Sequence, residues 1–166
     1  MNENELKLHR CCFAGCMPEK TTFSESMIKN KIRNEIREAI KSGFTTFITG
    51  MAPGVDILAA EIVIEMRQIY KEIKLIAAVP YPGFGKTRDY KRNLQYKKII
   101  ERVDLIKEIS PKLSDDCLKK RNEWMINHSS RVIVAFNGFD SETKNTMDFA
   151  NSKSVDVRLI DLKGCG

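Results

Sequence analysis

Gly50-Met51-Ala52-Pro53-Gly54-Val55-Asp56 sets two glycines, a proline and an acid between a β-branched run and an apolar helical stripe. Glycine has no Cβ, so the backbone there can take positive φ and a ligand can approach it closely. A helix starting at Val55 aims its first N–H groups, and the positive end of its dipole, into that turn. The chemistry this suits is the holding of an anion such as a phosphate. Asp56 falls in the first helical turn, where its carboxylate would repel a phosphate set directly against it. Its expected part is to cap the helix or to accept a ribose hydroxyl. A Gly-x3-Gly spacing by itself fits an unliganded strand-to-helix turn equally well.

Other loops carry similar groups. Gly15 and Cys16 follow a first apolar run, and Pro80-Tyr81-Pro82-Gly83-Phe84-Gly85 follows a third. Asn137-Gly138-Phe139-Asp140 leads towards Thr143 and offers amide and hydroxyl donors at a helix start. That is a second candidate anion site, or a plain turn with a Ser or Thr cap. On a helix near residue 120, Arg121 can reach a phosphate or carboxylate bidentately, and Asn122 can hydrogen-bond a ligand or a neighbouring loop. An interhelical ion pair and a satisfied buried amide would explain the same spacing. Candidate ligand contacts thus come from Gly15 and Cys16; Gly50, Met51, Gly54, Val55 and Asp56; Pro80 and Tyr81; Arg121 and Asn122; and Asn137, Gly138 and Thr143.

Gly83-Phe84-Gly85-Lys86-Thr87 imitates the end of a P-loop, but Pro80 stands where that motif needs glycine and no later strand ends in an aspartate for magnesium. Cys11 and Cys12 are neighbours on a predicted strand, so they point to opposite faces and cannot both share a metal with Cys16. No second Cys/His pair completes a zinc site. No catalytic residue, metal or cofactor is assigned.

The elements that position these residues alternate regularly. Strands are expected at Leu8–Ala14, Phe44–Thr49, Leu75–Val79, Leu105–Ile109, Arg131–Phe136 and Val157–Leu162. Between them lie a helix through Ile28, Ile32, Ile36 and Ile40 capped by Ser24, one from Val55 to Tyr70, one from about Asp89 with Leu94, Tyr96 and Ile99 inward, one over Asp115–His128, and one over Thr143–Lys153. Continuous apolar strands joined by helices imply an α/β fold: a three-layer, doubly wound, mostly parallel Rossmann-like sheet in one domain. In such sheets ligands bind beyond the carboxyl ends of the strands, where the strand order reverses. All the loops named above then share one rim.

With 166 residues, 42% apolar and 30% charged, the chain can bury a core without disulfide staples. No apolar run is long enough to span a bilayer and the first residues lack a signal-peptide pattern, so the cytoplasm is the expected location. Five cysteines, an odd number, argue against a disulfide framework. A net charge of +6 favours anionic partners. The basic residues gather in the middle third on solvent-facing helix positions, which suits solubility and non-specific polyanion affinity better than a nucleic-acid groove.

CCFAGCMPEK, FITGMAPGVDILAAE, YPGF before a helix, RNEWMINHSSRVIVAFNG and TKNTMDFA together resemble the YpsA-like family of the SLOG superfamily, relatives of DprA and of the LOG phosphoribohydrolases. The resemblance implies a Rossmann-like sheet and a pocket for a nucleotide-derived ligand at the strand ends, without an established reaction. Three places depart from the family pattern. Gly15-Cys16-Met17-Pro18 stands for Gly-His-Arg-Pro, Phe84 and Arg88 stand for a glutamine and a tryptophan, and Ser141-Glu142-Thr143 stands for Gly-Gly-Thr.

The function expected is non-catalytic binding of a nucleotide, nucleotide-sugar or ADP-ribose-type signal by a homo-oligomer, with Arg121 on a phosphate and Asp56 on a ribose. Two alternatives stand beside it. LOG-like N-glycosidic hydrolysis would need Glu142 or Asp56 to replace the glutamate of the LOG motif. DprA-like binding of single-stranded DNA would use Tyr81, Phe84, Tyr90 and Tyr96 beside the basic middle third.

Overall fold

The computed structural model describes residues 1–15 and 23–163. Its elements, in chain order, are α1 (Glu3–Lys7), β1 (Arg10–Gly15), α2 (Glu25–Lys41), β2 (Thr46–Thr49), α3 (Val55–Met66), β3 (Lys74–Val79), α4 (Tyr90–Ile100), β4 (Leu105–Glu108), α5 (Cys117–Asn127), β5 (Arg131–Phe136), α6 (Ser141–Ser152) and β6 (Asp156–Asp161). The six strands form one sheet in the order β4-β3-β2-β1-β5-β6, and every pairing is parallel. The expected α/β Rossmann-like architecture is the observed one.

Strand alternation divides the core between the two faces. Cys11, Phe13, Phe47, Leu75 and Ala77 pack with Ile28, Ile32 and Ile36 of α2, with most of α3, and with Ile99 of α4. Cys12, Ile48, Ala78, Val132 and Val134 pack with Met125 and Ile126 of α5 and Ala150 of α6. The adjacent cysteines therefore do face opposite layers, as period-2 geometry requires. Cys16 lies outside the described residues.

Several boundaries differ from those expected. The first strand begins at Arg10, because the preceding residues form α1. Asn2 and Glu5 cap that helix reciprocally, and Leu8 is exposed. α3 stops at Met66 instead of Tyr70, leaving Ile69 in solvent. α5 starts at Cys117, two residues later than read from its polar lead-in. α6 starts at Ser141 with Asp140 as its cap. Leu94 faces solvent, whereas Ile99 on the same helix is buried. β4 is an edge strand with all four residues exposed. Ser24 caps α2 as the sequence suggests, accepting a hydrogen bond from the Met27 amide at 3.2 Å. No helix among the described residues is long and apolar enough to cross a membrane.

The sheet order fixes the place to look. β1 to β4 add outward in one direction, then the chain returns to set β5 on the other side of β1. The seam between the carboxyl ends of β1 and β5 is the point where the order reverses, and it opens a crevice there.

Candidate functional site

At that seam lies a hollow of about 170 Å³, lined by Phe13, Ala14 and Gly15 of β1, Ala52, Pro53 and Asp56 of the β2–α3 corner, Arg121 and Asn122 of α5, and Asp140, Glu142, Thr143 and Thr146 of the β5–α6 corner. Gly15 is required by contact: a Cβ there would sit 2.7 Å from the Ala135 carbonyl oxygen on the paired strand. Backbone atoms cannot yield to it, so the strands close the floor only with glycine at this position.

The β2–α3 corner makes the wall. Met51 and Gly54 both take positive φ, and Gly54 starts α3 without any side-chain hydrogen bond to its amides. The helix therefore presents an uncapped positive end, as the glycine spacing suggested. Thr49 ties the corner from within, its hydroxyl donating to the Asp56 carbonyl and accepting from the Met51 amide.

Asp56 does not cap the helix. Its Oδ2 accepts from the Ala52 amide at 3.3 Å, while its buried Oδ1 has no hydrogen-bond partner. Burial raises its pKa to about 6, against the opposing pull of Arg121 and the Ala52 amide, with Glu142 adding to the rise. An ionised carboxylate with a spare, dry lone pair calls for a donor.

Arg121 is only 2% exposed. It reaches from the α5 layer over the top of the sheet, donating through Nη1 to the Gly50 carbonyl and through Nε to Asn122 Oδ1 at 2.7 Å. Its guanidinium also lies over the Phe84 ring, 5.7 Å from the centroid. Gly50 matters here because a Cβ would come within 2.8 Å of both Arg121 Nη1 and Asp56 Oδ2. Asn122 passes the network on to Glu142 Oε1 at 3.0 Å. Arg121 is thus a keystone joining three corners, with its other face towards the hollow.

The β5–α6 corner closes on itself. Asn137 Oδ1 accepts from the amides of Phe139 and Asp140, and Asp140 Oδ2 accepts from the Thr143 amide and hydroxyl. The amides of Phe139, Asp140 and Thr143 are thus already partnered by side chains, and Gly138 packs against Lys163 rather than lining the hollow. Of the expected contacts, Gly15, Asp56, Arg121, Asn122 and Thr143 meet at the seam. Asn137 and Gly138 stand behind it. Val55 is buried against Gly15, and Gly50 lies beneath Arg121.

Met51, Gly54 and Tyr81 belong to a second hollow, of about 340 Å³, between the β2–α3 corner, the β3–α4 loop and α4. Pro80, which follows β3 directly, lines neither hollow and accepts from the Ser110 amide. Phe84 and Tyr96, expected beside Tyr81 as stacking rings for a DNA strand, join it in this wall, Tyr90 does not, and Ile57 was not foreseen. In the P-loop imitation the amides of Phe84 and Lys86 turn inward to Tyr81 and Gly83 carbonyls, so no phosphate cradle forms there. Among the described residues no group of three or more His, Cys, Asp or Glu could hold a metal ion.

A family model, YpsA, described as the YspA SLOG family, matches residues 18–161. The chain belongs to this SLOG family. Among its relatives, an uncharacterized SPbeta prophage-derived protein, YoqJ, of Bacillus subtilis strain 168 is 30% identical, over 80% of this chain and 85% of its own length. A UPF0398 protein of Levilactobacillus brevis is 24% identical over 82% of this chain and 76% of its own. The fold is also that of two solved DNA processing proteins A. The one from Helicobacter pylori, determined for its single-stranded DNA binding mode, has a TM-score of 0.63 at 19% identity. The one from Streptococcus pneumoniae has 0.62 at 16%. This YpsA-family chain is covered over 95% in each case but spans 66% and 52% of those longer chains.

Proposed function

We propose that this YpsA-family protein binds a nucleotide-derived ligand at the strand-order reversal and senses or sequesters it without cleaving it. The observation that carries the reading is the pairing, at one corner, of an uncapped α3 start with the buried, unpartnered Oδ1 of Asp56. A phosphate suits the helix start, and a sugar hydroxyl suits the carboxylate oxygen. The seam hollow holds three carboxylates, Asp56, Asp140 and Glu142, against one guanidinium, and that one is already bonded to Gly50. It therefore favours a hydroxyl-bearing group over a bare anion, and the phosphate belongs at Gly54, towards Lys86 and Arg92 of the neighbouring hollow. Arg121 then serves as the support of the corner and a counter-charge to Asp56. Such a ligand belongs to the nucleotide pool of the cytoplasm.

The test is calorimetric titration of the full chain with AMP, NAD and ADP-ribose. Dissociation constants in the micromolar range are expected for at least one, and lost binding is expected in Gly54→Val, whose side chain would crowd the helix start. Folded protein that binds none of them overturns the reading.

Glu142 beside Asp56 in the same hollow supports a second reading, N-glycosidic hydrolysis with one of them steadying a cationic sugar centre. Release of free adenine from AMP, abolished in Glu142→Gln, would establish it in place of the first. The H. pylori neighbour's single-stranded DNA binding suggests a strand as a third occupant of the rim, and an oligothymidylate titration at physiological salt tests that.

A further inference from the structure

We infer that the hollow walled by Met51, Ile57, Tyr81, Phe84 and Tyr96 is a distinct subsite for a flat aromatic ring. The ligand's base then lies on the α4 side of Pro53 against these rings, its phosphate on the same side at Gly54 towards Lys86 and Arg92, and its sugar between them, turned to the β5 side. This rests on the nucleotide reading and adds an orientation and a specificity to it.

Size comes first. Pockets that take small ligands run from roughly 300 to 1,000 Å³. The seam hollow, at about 170 Å³, is too small for a whole nucleotide. The second hollow, at about 340 Å³, reaches that range, and Pro53 lines both, so the two adjoin and a ligand passing over Pro53 would touch each. Their chemistry divides the ligand. The seam is polar and acidic, whereas the second hollow is walled largely by aliphatic and aromatic side chains, with polar atoms from Glu25, Lys86, Thr87, Arg92 and Gln95 and from the hydroxyls of Tyr81 and Tyr96.

The aromatic walls are also fixed before any ligand arrives. Tyr81 and Phe84 meet edge to face, with ring centroids 5.6 Å apart and planes at 77°. Arg121 holds the Phe84 ring from the seam side. The Tyr96 ring lies so close over Gly85 that a Cβ on that glycine would overlap it. Rings held in this way give up little freedom on binding and present π-faces suited to a base. Burial keeps the Tyr96 phenol protonated, its pKa raised to about 12, so its O–H remains a donor for a ring nitrogen or carbonyl. Aliphatic ligands would bury against these rings but would forgo the stacking contact that a flat base adds.

Three measurements on the full chain decide the matter. In saturation-transfer NMR with AMP, the adenine H2 and H8 protons are expected to receive the strongest transfer. In calorimetry, ribose 5-phosphate should bind at least tenfold more weakly than AMP. Phe84→Ala should weaken AMP about tenfold, the size of one lost stacking contact, and leave ribose 5-phosphate unchanged. If AMP binds but ribose 5-phosphate equals it, or the sugar protons receive the strongest transfer, the base lies elsewhere and only the subsite falls. If neither compound nor any other nucleotide binds, the nucleotide reading falls and takes the subsite with it. Should Phe84→Ala fail to fold, the transfer pattern on the unaltered protein decides.

Discussion

Asp56 holds a carboxyl group where water scarcely reaches it, and its pKa of about 6 links that position to pH. Because the folded form keeps its proton to higher pH than the unfolded chain does, the group contributes stability below its ordinary value near 3.8. That contribution is lost as pH rises through about 6, and a shift of about two units corresponds to ~2–3 kcal/mol. Glu3 and Asp156 are shifted the other way, through hydrogen bonds to Arg10 and, against the opposing effect of burial, to Arg158 and Arg131. The readout is therefore the difference between proteins. Urea unfolding of Asp56→Asn should lack the loss between pH 4 and pH 7 that the parent shows on this account. Ligand binding should run in the opposite sense, since an ionised carboxylate accepts a sugar hydroxyl more strongly than its protonated form does. Titrations with ADP-ribose, whose pyrophosphate keeps its charge across this range, should strengthen from pH 5 to pH 7.5 in the parent, stay flat in Asp56→Asn, and shift to higher pH in Arg121→Met, which lacks the opposing positive charge.

At the scale of elements, the floor of the seam depends on β1 and β5 lying close enough to exclude a methyl group. Gly15→Ala should lower the melting temperature, at a cost of about 1–3 kcal/mol, because the Ala135 carbonyl oxygen and Val55 both stand in the way. Gly43→Ala is the control: its Cβ meets nothing within 4 Å, so its cost is confined to the φ of +98°. The inner strands β1, β2, β3 and β5 were legible in the sequence because strands buried on both faces read as nearly continuous apolar runs, and α2 because Ile28, Ile32 and Ile36 repeat at helical spacing. α1 was not legible, for it buries nothing and is held by its cap alone. The β2–α3 corner was legible from Gly50 and Gly54, whose conformational needs are local. Arg121 was visible only as a cation near apolar positions. Its bond to Gly50 depends on which face α5 covers, a matter of topology and not of spacing. Tyr81, Phe84 and Tyr96 were legible as rings a base could stack on, but their closing of a hollow with Ile57 was not, since Ile57 and Tyr96 meet only because α3 and α4 cover the same face of the sheet.

Across the whole molecule, charge and site make separable contributions. The net charge of +6 and the cations of the α3–α4 groove, Lys91, Lys98 and Arg102 beside Glu61 and Glu65, would draw a polyanion through release of its counterions. Oligothymidylate affinity should fall more than tenfold between 50 and 200 mM salt if it engages about four or more phosphates. AMP affinity, which on the proposed reading draws on stacking and a buried hydroxyl contact, should change roughly threefold or less over that interval. Comparable losses for both would place the small ligand on the same diffuse field as the polymer. Finally, the β1–β5 seam joins stretches of chain that lie far apart in sequence, and such long-range pairings close late in folding. A guest lodged across it would act as a rivet between the two halves of the sheet. It would slow their parting while leaving the rate of first assembly almost untouched, turning the abundance of a metabolite into the lifetime of the protein that holds it.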